Sequence, residues 1–404
     1  MTQIMQGVRI LEVAEQTFVP AASAVLAEWG AEVIKIEHAV RGDSMRGIES
    51  AGFQGIDPDV HVVFEHANRG KKSVGLDLAT PEGLDILYKL AATSDVFLVN
   101  KVAEVRKKLR IDVDDIKAQN PDIIYTMGTG QGNAGPDANM GGYDILSFWC
   151  RTGMAMNAAV AHPDEVPNPP SGAYGDTIGA LTIAGGIMGA LFHRERTGEA
   201  TTVDVSLLGV GTFAMSFAIA MSLQHGEAWV PPKPGVPYNP LVATYWTKDA
   251  RAVNLCCLQV AKYWPEICAL MGRDDLAADP RFADFAGLCD NVAAAAAAMQ
   301  DEFSKRTLDE WRALLAGFSG QWTVVQNVLE TANDPQVLAN GYVRDYEAAS
   351  GKPFRLTSPP VRFGGEDAPA LRAPTFHEQG DEVLLELGLD WDALIDLKVR
   401  GIVA

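Results

Sequence analysis

Val8-Arg9-Ile10-Leu11-Glu12-Val13, the Ala- and Leu-rich stretch from Ala21 to Trp29 closed by Gly30, and Glu32-Val33-Ile34-Lys35-Ile36-Glu37 read together as strand, helix and strand. The two flanking runs are rich in β-branched and aliphatic residues, and the middle one is built from helix formers and stopped by a glycine. A crossover this short is right-handed and leaves its two strands parallel in one sheet. The pattern continues outward. Ser73 to Leu78 reads as a strand, Thr80-Pro81-Glu82 opens a helix that runs to Ala92, and Val96 to Asn100 is a strand again. A helix from Asp112 to Gln119 then leads into the strand Asp122-Ile123-Ile124-Tyr125. The expected class is α/β, with a doubly wound, Rossmann-like parallel sheet. Its ligand is not expected to be a dinucleotide. Glu37 stands where such folds keep a ribose-binding acid, yet the first turn, Val13-Ala14-Glu15-Gln16-Thr17-Phe18-Val19-Pro20, holds no glycine to admit a pyrophosphate to the backbone.

The chain has 404 residues, 48% of them apolar and 21% charged, with a formal net charge of −19. That length sets two domains as the expectation. The negative charge argues against a nucleic-acid partner or an anionic membrane surface. Cys150, Cys256, Cys257, Cys268 and Cys289 form no CxxC pair and have no histidine at metal-ligand spacing, so they read as reduced, buried thiols, and no metal is expected. The start of the chain lacks a basic segment followed by a long apolar one, and the longest candidate for a membrane span, Val203 to Leu223, contains Asp204. A soluble, cytoplasmic protein with no membrane partner is expected.

The acidic load is uneven. Residues 1–110 carry 13 Lys and Arg against 15 Asp and Glu, and the remainder carries 20 against 37. Basic residues gather beside the strands: Arg41 and Arg46 after Glu37, Arg69-Gly70-Lys71-Lys72 before Ser73, and Lys101, Arg106, Lys107, Lys108 and Arg110 after Asn100. Loops beyond the carboxyl ends of parallel strands form the ligand crevice of such a sheet, so these clusters surround a place for a phosphate-bearing ligand. Lys107 and Lys108 read as a solvated helix face.

Further on, Gly128 to Gly142 is a glycine-dense loop, followed by a Pro-rich connection that begins at Pro163. Asp176 to Arg196 reads as a long helix whose small residues, Gly179, Ala180, Ala184, Gly185, Gly186, Gly189 and Ala190, invite the close approach of another backbone. Five prolines between Trp229 and Pro240 mark a linker. The expected organisation is a large domain of residues 1–225 completed by 330–404, with a smaller α+β domain at 226–329. Residues 333–360 read as turn-rich, and 380–402 as two helices packing back on the first domain. Within Gly172-Ala173-Tyr174-Gly175-Asp176-Thr177, Asp176 stands after a glycine at the start of the long helix. Unsatisfied N–H groups and the helix dipole favour a carboxylate there, which is the setting of an N-cap and equally of a nucleophile kept ionised.

Gly7-Val8-Arg9-Ile10-Leu11-Glu12-Val13, the run from Leu26 to Glu37, Gly42-Asp43-Ser44-Met45-Arg46, Asn68 to Leu78, and Tyr174-Gly175-Asp176 resemble the class III CoA-transferases. This is the family of formyl-CoA transferase and CaiB-type carnitine CoA-transferase, with α-methylacyl-CoA racemase as a sister branch. Asp279-Pro280-Arg281-Phe282, Asp334-Pro335-Gln336-Val337 and Glu382 to Gly388 continue the match in order to the end of the chain. The resemblance implies an interlocked homodimer and a transfer of CoA from an acyl-CoA donor to a carboxylic acid acceptor, with Asp176 as the nucleophile and no cofactor beyond coenzyme A. It also implies CoA contacts from Gln16, Thr17, His38, Lys71, Asn100, Lys101 and Arg106. Backbone N–H groups of the glycine loop, at Gly130 and Gly132, together with Tyr143, would face the reacting acyl group. Two departures mark this chain. Val99-Asn100-Lys101-Val102-Ala103-Glu104 stands where the family commonly has Glu-Asn-Phe-Arg-Pro-Gly, and His38 stands where an arginine is frequent, with Arg41 near enough to compensate. The racemase branch has a His-Asp pair where this chain has Tyr143-Asp144. A phenol of ordinary pKa ~10 is a poor base for an α-proton, which favours the transferase over the alternative, a racemase or isomerase on the same scaffold.

Overall fold

The computed structural model describes residues 3–52, 54–161, 164–233 and 235–404, so Pro163 and Pro234 of the Pro-rich connections lie outside the described residues. The chain divides into two compact units. The first comprises Met1–Ala155, Pro167–Glu227 and Pro335–Ala404, and the second Met156–Val166 and Ala228–Asp334. Residues 156–166, expected inside the large domain, therefore belong to the second unit.

The first unit is built on six parallel strands: β1 (Arg9–Val13), β2 (Glu32–Glu37), β3 (Lys71–Gly75), β4 (Val96–Val99), β5 (Ile124–Thr129) and β6 (Thr202–Ser206). Their order in the sheet is β3-β2-β1-β4-β5-β6. The direction of winding reverses between β1 and β4, and a crevice opens beyond the carboxyl ends of those two strands. The helices that matter here are α1 (Phe18–Glu28), α2 (Val62–Asn68), α3 (Pro81–Ala92), α4 (Ala103–Leu109), α5 (Tyr174–Thr197), α6 (Leu207–Ala214) and α7 (Ser216–His225).

Successive side chains of a strand point to opposite faces. On one face Ile10, Val33, Val96, Leu98 and Ile124 pack under α1 and α5, and on the other Leu11, Ile34, Phe97, Val99 and Tyr125 pack under α3 and the C-terminal helices Gly380–Glu386 and Trp391–Val399. Each fully buried aliphatic side chain contributes about 1.5–3 kcal/mol. Covering both faces explains why the strands read as nearly continuous apolar runs.

Every residue of α1 is buried, because this helix lies between the sheet and α5. The close packing depends on missing side chains: a Cβ on Gly179 would sit 2.4 Å from Phe18, and one on Gly128 would sit 2.2 Å from Val19. The expected small-residue contact is thus confined to one face of α5. Gly185 and Gly189, on its other face, meet nothing within 4 Å. Among the described residues α5 is the one helix whose length and composition by themselves suit a membrane span, with 39% of its best window buried in the chain itself, while α6 and α7, which overlap Val203–Leu223, pass only together and are bent by 69°.

Residues 333–360 are more ordered than a run of turns. They hold the short helix Pro335–Ala339 and an antiparallel hairpin of Val343–Glu347 with Pro353–Thr357. In the second unit, Val242–Trp246, Ala252–Cys256 and Trp322–Val324 form an antiparallel sheet. Its helical core holds the stack of Trp311 on Phe303, with ring centres 4.0 Å apart. The cysteines depart from expectation: Cys257 and Cys268 are buried, but Cys150, Cys256 and Cys289 are exposed.

Candidate active site

The turn after β1, residues 14–17, leaves the sheet at its reversal point and is pinned from both sides. The Asn100 side chain, at the end of β4, accepts from the Glu15 N–H at 3.3 Å and donates to the Glu15 carbonyl at 2.7 Å. Gln16 follows with a left-handed backbone, φ +68. Beyond this turn lie two cavities. The first, about 290 Å³, is walled by Glu15, Gln16 and Ser44 on one side, by Gly128, Thr129, Gly130, Gly142 and Tyr143 on the other, and by Asp176. The second, about 510 Å³, is lined by the ends of β1 and β2, by His38 and Arg41, by residues 76–79 after β3, and by Val105, Lys108 and Leu109 of α4. Glu15 and Lys101 line both. They form an ion pair of 2.5 Å, and Lys101 holds the Glu15 carboxyl below its usual range despite burial.

Asp176 is the third residue of α5, whose N-cap is Ala173, so the N-cap reading does not hold. Among the described residues no hydrogen-bond partner or counter-ion meets its carboxylate. Burial, reinforced by the nearby Asp144 carboxylate, pushes it up to about 7. This reverses the expectation of a group kept ionised by the helix start, since the dipole of one helix end is outweighed by desolvation and a like charge. Asp144 is itself fixed, accepting from the Ile145 N–H at 2.7 Å and the Gly175 N–H at 3.3 Å.

The glycine loop is closed by backbone lying on backbone. A Cβ on Gly130 would be 2.5 Å from Gly142 Cα, and one on Gly142 would be 2.6 Å from Gly130 Cα. Gly130 and Tyr143, the latter 64% exposed, face the first cavity. Gly132 does not line it, and its N–H is taken by Thr129 Oγ1 at 3.0 Å, so it is corrected as an oxyanion donor.

Of the expected CoA contacts, Gln16, Asn100 and Lys101 line the first cavity and His38, Arg41 and Lys101 the second. Three others are corrected. Lys71 is sealed in the core, its amine donating to Glu12 at 2.8 Å, to the Pro20 carbonyl at 2.8 Å and to Asn68 at 3.0 Å. Arg106 is buried against Asp112 and the Lys101 carbonyl, which it supports from behind. Thr17 is buried at the start of α1. Arg46 and Arg69 are likewise committed, to Glu37 and Glu28. Lys108, read as a solvated face, instead borders the second cavity. Sequence reasoning passed over Glu15, Ser44 and Asp43. The one signal for the last two was the Gly42-Asp43-Ser44 motif, whose place beneath the β1 turn depends on the pairing of distant strands. Among the described residues no group of three or more His, Cys, Asp or Glu is arranged to hold a metal ion.

The family model described as CoA-transferase family III matches residues 5–379. The chain is 28% identical over 401 residues to (R)-2-hydroxy-4-methylpentanoate CoA-transferase of Clostridioides difficile, covering 99% of each. It is 27% identical over 394 residues to cinnamoyl-CoA:phenyllactate CoA-transferase of Clostridium sporogenes, covering 96% of this chain and 94% of that one. The crystal structure of a CAIB/BAIF family protein from Brucella suis matches with a TM-score of 0.81 at 27% identity, over 96% of this chain and 100% of that chain.

Proposed function

The chain belongs to CoA-transferase family III, and from that premise we propose that it moves coenzyme A from an acyl-CoA donor to a carboxylic acid acceptor through covalent chemistry at Asp176. The observation that carries this reading is a partly buried, unpaired carboxylate raised to about 7, in a cavity that shares Glu15 and Lys101 with a larger one bordered by three cationic side chains. Arg41, Lys101 and Lys108 suit the phosphates of CoA, and the space between the strand ends suits its adenosine. The pantetheine arm would pass Glu15 and Lys101 to bring the thioester to Asp176.

The Asp176 carboxylate attacks the thioester carbonyl, the C–S bond breaks, and an acyl-aspartyl anhydride forms with release of the CoA thiolate. The thiolate attacks the aspartyl carbonyl of the anhydride, freeing the donor acid and leaving an aspartyl-CoA thioester. The acceptor carboxylate attacks that thioester, and the released thiolate then takes the acceptor acyl group and restores Asp176. No net proton is consumed. Acylation removes the negative charge beside Asp144, so part of the strain that raises Asp176 is relieved as the reaction proceeds. Peptide N–H groups at the start of α5 and around Gly130 are suited to the oxyanions.

A second copy of the chain is part of this reading. Phe192, Phe213 and Leu223, on α5, α6 and α7, are large exposed apolar side chains, the kind of surface that a partner subunit covers where such side chains adjoin. An interlocked, cytoplasmic homodimer would cover them. A carboxyl held near 7 also suits proton transfer, which keeps α-proton exchange as the second reading.

The test gives the enzyme a panel of acyl-CoAs with isotope-labelled free acids and follows new labelled acyl-CoA by mass spectrometry. Label appearing in the CoA thioester supports transfer, whereas deuterium uptake at the α-carbon without an acceptor replaces it with racemisation. Asp176→Ala is expected to lower turnover on the order of a thousandfold or more while remaining folded. Turnover within tenfold of the parent would reject the covalent route.

A further inference from the structure

We propose that Asp43 is a positioning residue for the reaction centre, holding the turn between β1 and α1 in the shape that presents Gln16 to the cavity of Asp176. The inference rests on the transfer reading of that cavity. Gln16 and Ser44 line it together with Asp176, but Gln16 sits in the left-handed region, φ +68, which residues other than glycine adopt only at a cost. Something must hold it there.

Two backbone atoms of the turn, and one in the first turn of α1 that follows it, end on buried side chains beneath them. The Ala14 carbonyl accepts from Lys35 Nζ at 2.7 Å, the Gln16 N–H donates to Asp43 Oδ1 at 3.1 Å, and the Pro20 carbonyl accepts from Lys71 Nζ at 2.8 Å. These side chains are joined to one another through Glu12. Asp43 Oδ2 lies 2.8 Å from Lys35 Nζ, Lys35 Nζ 2.8 Å from Glu12 Oε1, and Glu12 Oε2 2.8 Å from Lys71 Nζ, all with side chains fully buried. Two carboxylates and two amines alternate, so each group faces an opposite partner, although burial lowers the Lys71 amine to about 7.

Asp43 is fixed in turn. Its N–H donates to Glu37 Oε2 at 2.8 Å, and its Oδ1 also accepts from the Met45 N–H at 2.9 Å. Its neighbour Ser44 accepts from the Gln16 side-chain amide at 2.6 Å. One short segment after β2 therefore sets both the backbone and the side chain of Gln16. Buried ion pairs add little stability over apolar residues of the same volume. What apolar residues could not do here is bind the Ala14 carbonyl, the Gln16 N–H and the Pro20 carbonyl at once. The row accounts for Lys71 as well, whose place in the Asn68-Arg69-Gly70-Lys71 motif serves the turn from below and not the ligand from above.

Two measurements on the full-length protein test this. Hydrogen exchange without substrate, read on peptides covering residues 14–20, is expected to speed up about tenfold or more in Asp43→Ala and by less in Asp43→Asn, which keeps the oxygen facing the Gln16 N–H but replaces the anion beside Lys35 with an amide. Unchanged exchange in the alanine variant overturns the scaffold. Steady-state CoA transfer is expected to show kcat lowered on the order of ten- to a hundredfold in Asp43→Ala with KM for the CoA thioester within about threefold, and partly recovered in Asp43→Asn. A loss carried by KM alone, or kcat within about twofold of the parent, overturns the positioning role. Should Asp43→Ala fail to fold, Ser44→Ala decides the kinetic point: kcat falling about threefold or more at constant KM supports it, and an unchanged kcat overturns it. Absence of transfer by the parent protein counts against the transfer reading, and the exchange measurement then judges the scaffold by itself.

Discussion

Glu12 and Asp176 are carboxylates on opposite sides of one turn. Glu12, beneath it, is fully buried, and each of its oxygens meets a lysine at 2.8 Å. Burial alone would raise it, but Lys35 and Lys71 bring it down to about 2. Asp176, above the turn, is less buried, has no such partner and faces Asp144, and it goes up to about 7. The depth of burial would rank the two the wrong way round. What separates a structural carboxylate from a reactive one in this fold is the counter-charge it is given.

The harshest way to break this contrast is to remove the counter-charge below. Glu12→Gln leaves buried Lys35 with Asp43 and Glu37 as its anions and buried Lys71, which burial already lowers to about 7, without its carboxylate partner, and is expected to cost up to about 3–5 kcal/mol in chemical denaturation at neutral pH, less to the extent that Lys71 releases its proton. A cost under about 1 kcal/mol would show that the lysines are as well served without it. Because the native pKa of Glu12 lies below the unfolded value, its contribution is present above the ordinary carboxylate range and is lost as pH falls towards about 2.

Asp176 should behave in the opposite sense. Its native pKa is above the unfolded value, so ionising it weakens the fold as pH rises from about 4 to about 7, after which the penalty is constant. Asp176→Asn is therefore expected to melt higher than the parent at pH 8, by ~1–2 °C for each kcal/mol relieved in a chain of 404 residues, and level with it at pH 4. Equal melting temperatures at both pH values would mean that the carboxylate is not strained.

The mildest change removes only the like charge. With ionised Asp176 as the attacking form, kcat should rise with pH and level off above about 7, and Asp144→Asn should move that acid limb to lower pH while keeping an acceptor for the Ile145 or Gly175 N–H. A limb that stays in place assigns the raised pKa to burial alone.

The sheet was legible because each of its strands is a local apolar run and each crossover a local helix. The position of Asp176 was legible too, from glycines beside it and a long helix after it. Its ionisation was not, because Asp144 lies 32 residues away along the chain. Lys71 and Arg106 were misassigned for a related reason. A basic residue beside a strand looks the same in sequence whether it reaches solvent or the core, and for Lys71 the answer comes from the pairing of Val33 with Lys71, which sets β3 under the β1 turn. The hairpin at Val343–Thr357 was hidden by Pro353, which opens its second strand and reads locally as a turn signal.

The contact between Gly130 and Gly142 bears on how this pocket could be re-engineered. Because each glycine leaves room for the other's main chain and not for a ligand, a library that randomises either position alone would spend its diversity on clones whose loop cannot close. Diversity is better placed at Tyr143, whose exposed side chain borders the same cavity without holding its wall together. Recombining whole 130–142 segments from relatives would let both ends of the clasp change in step.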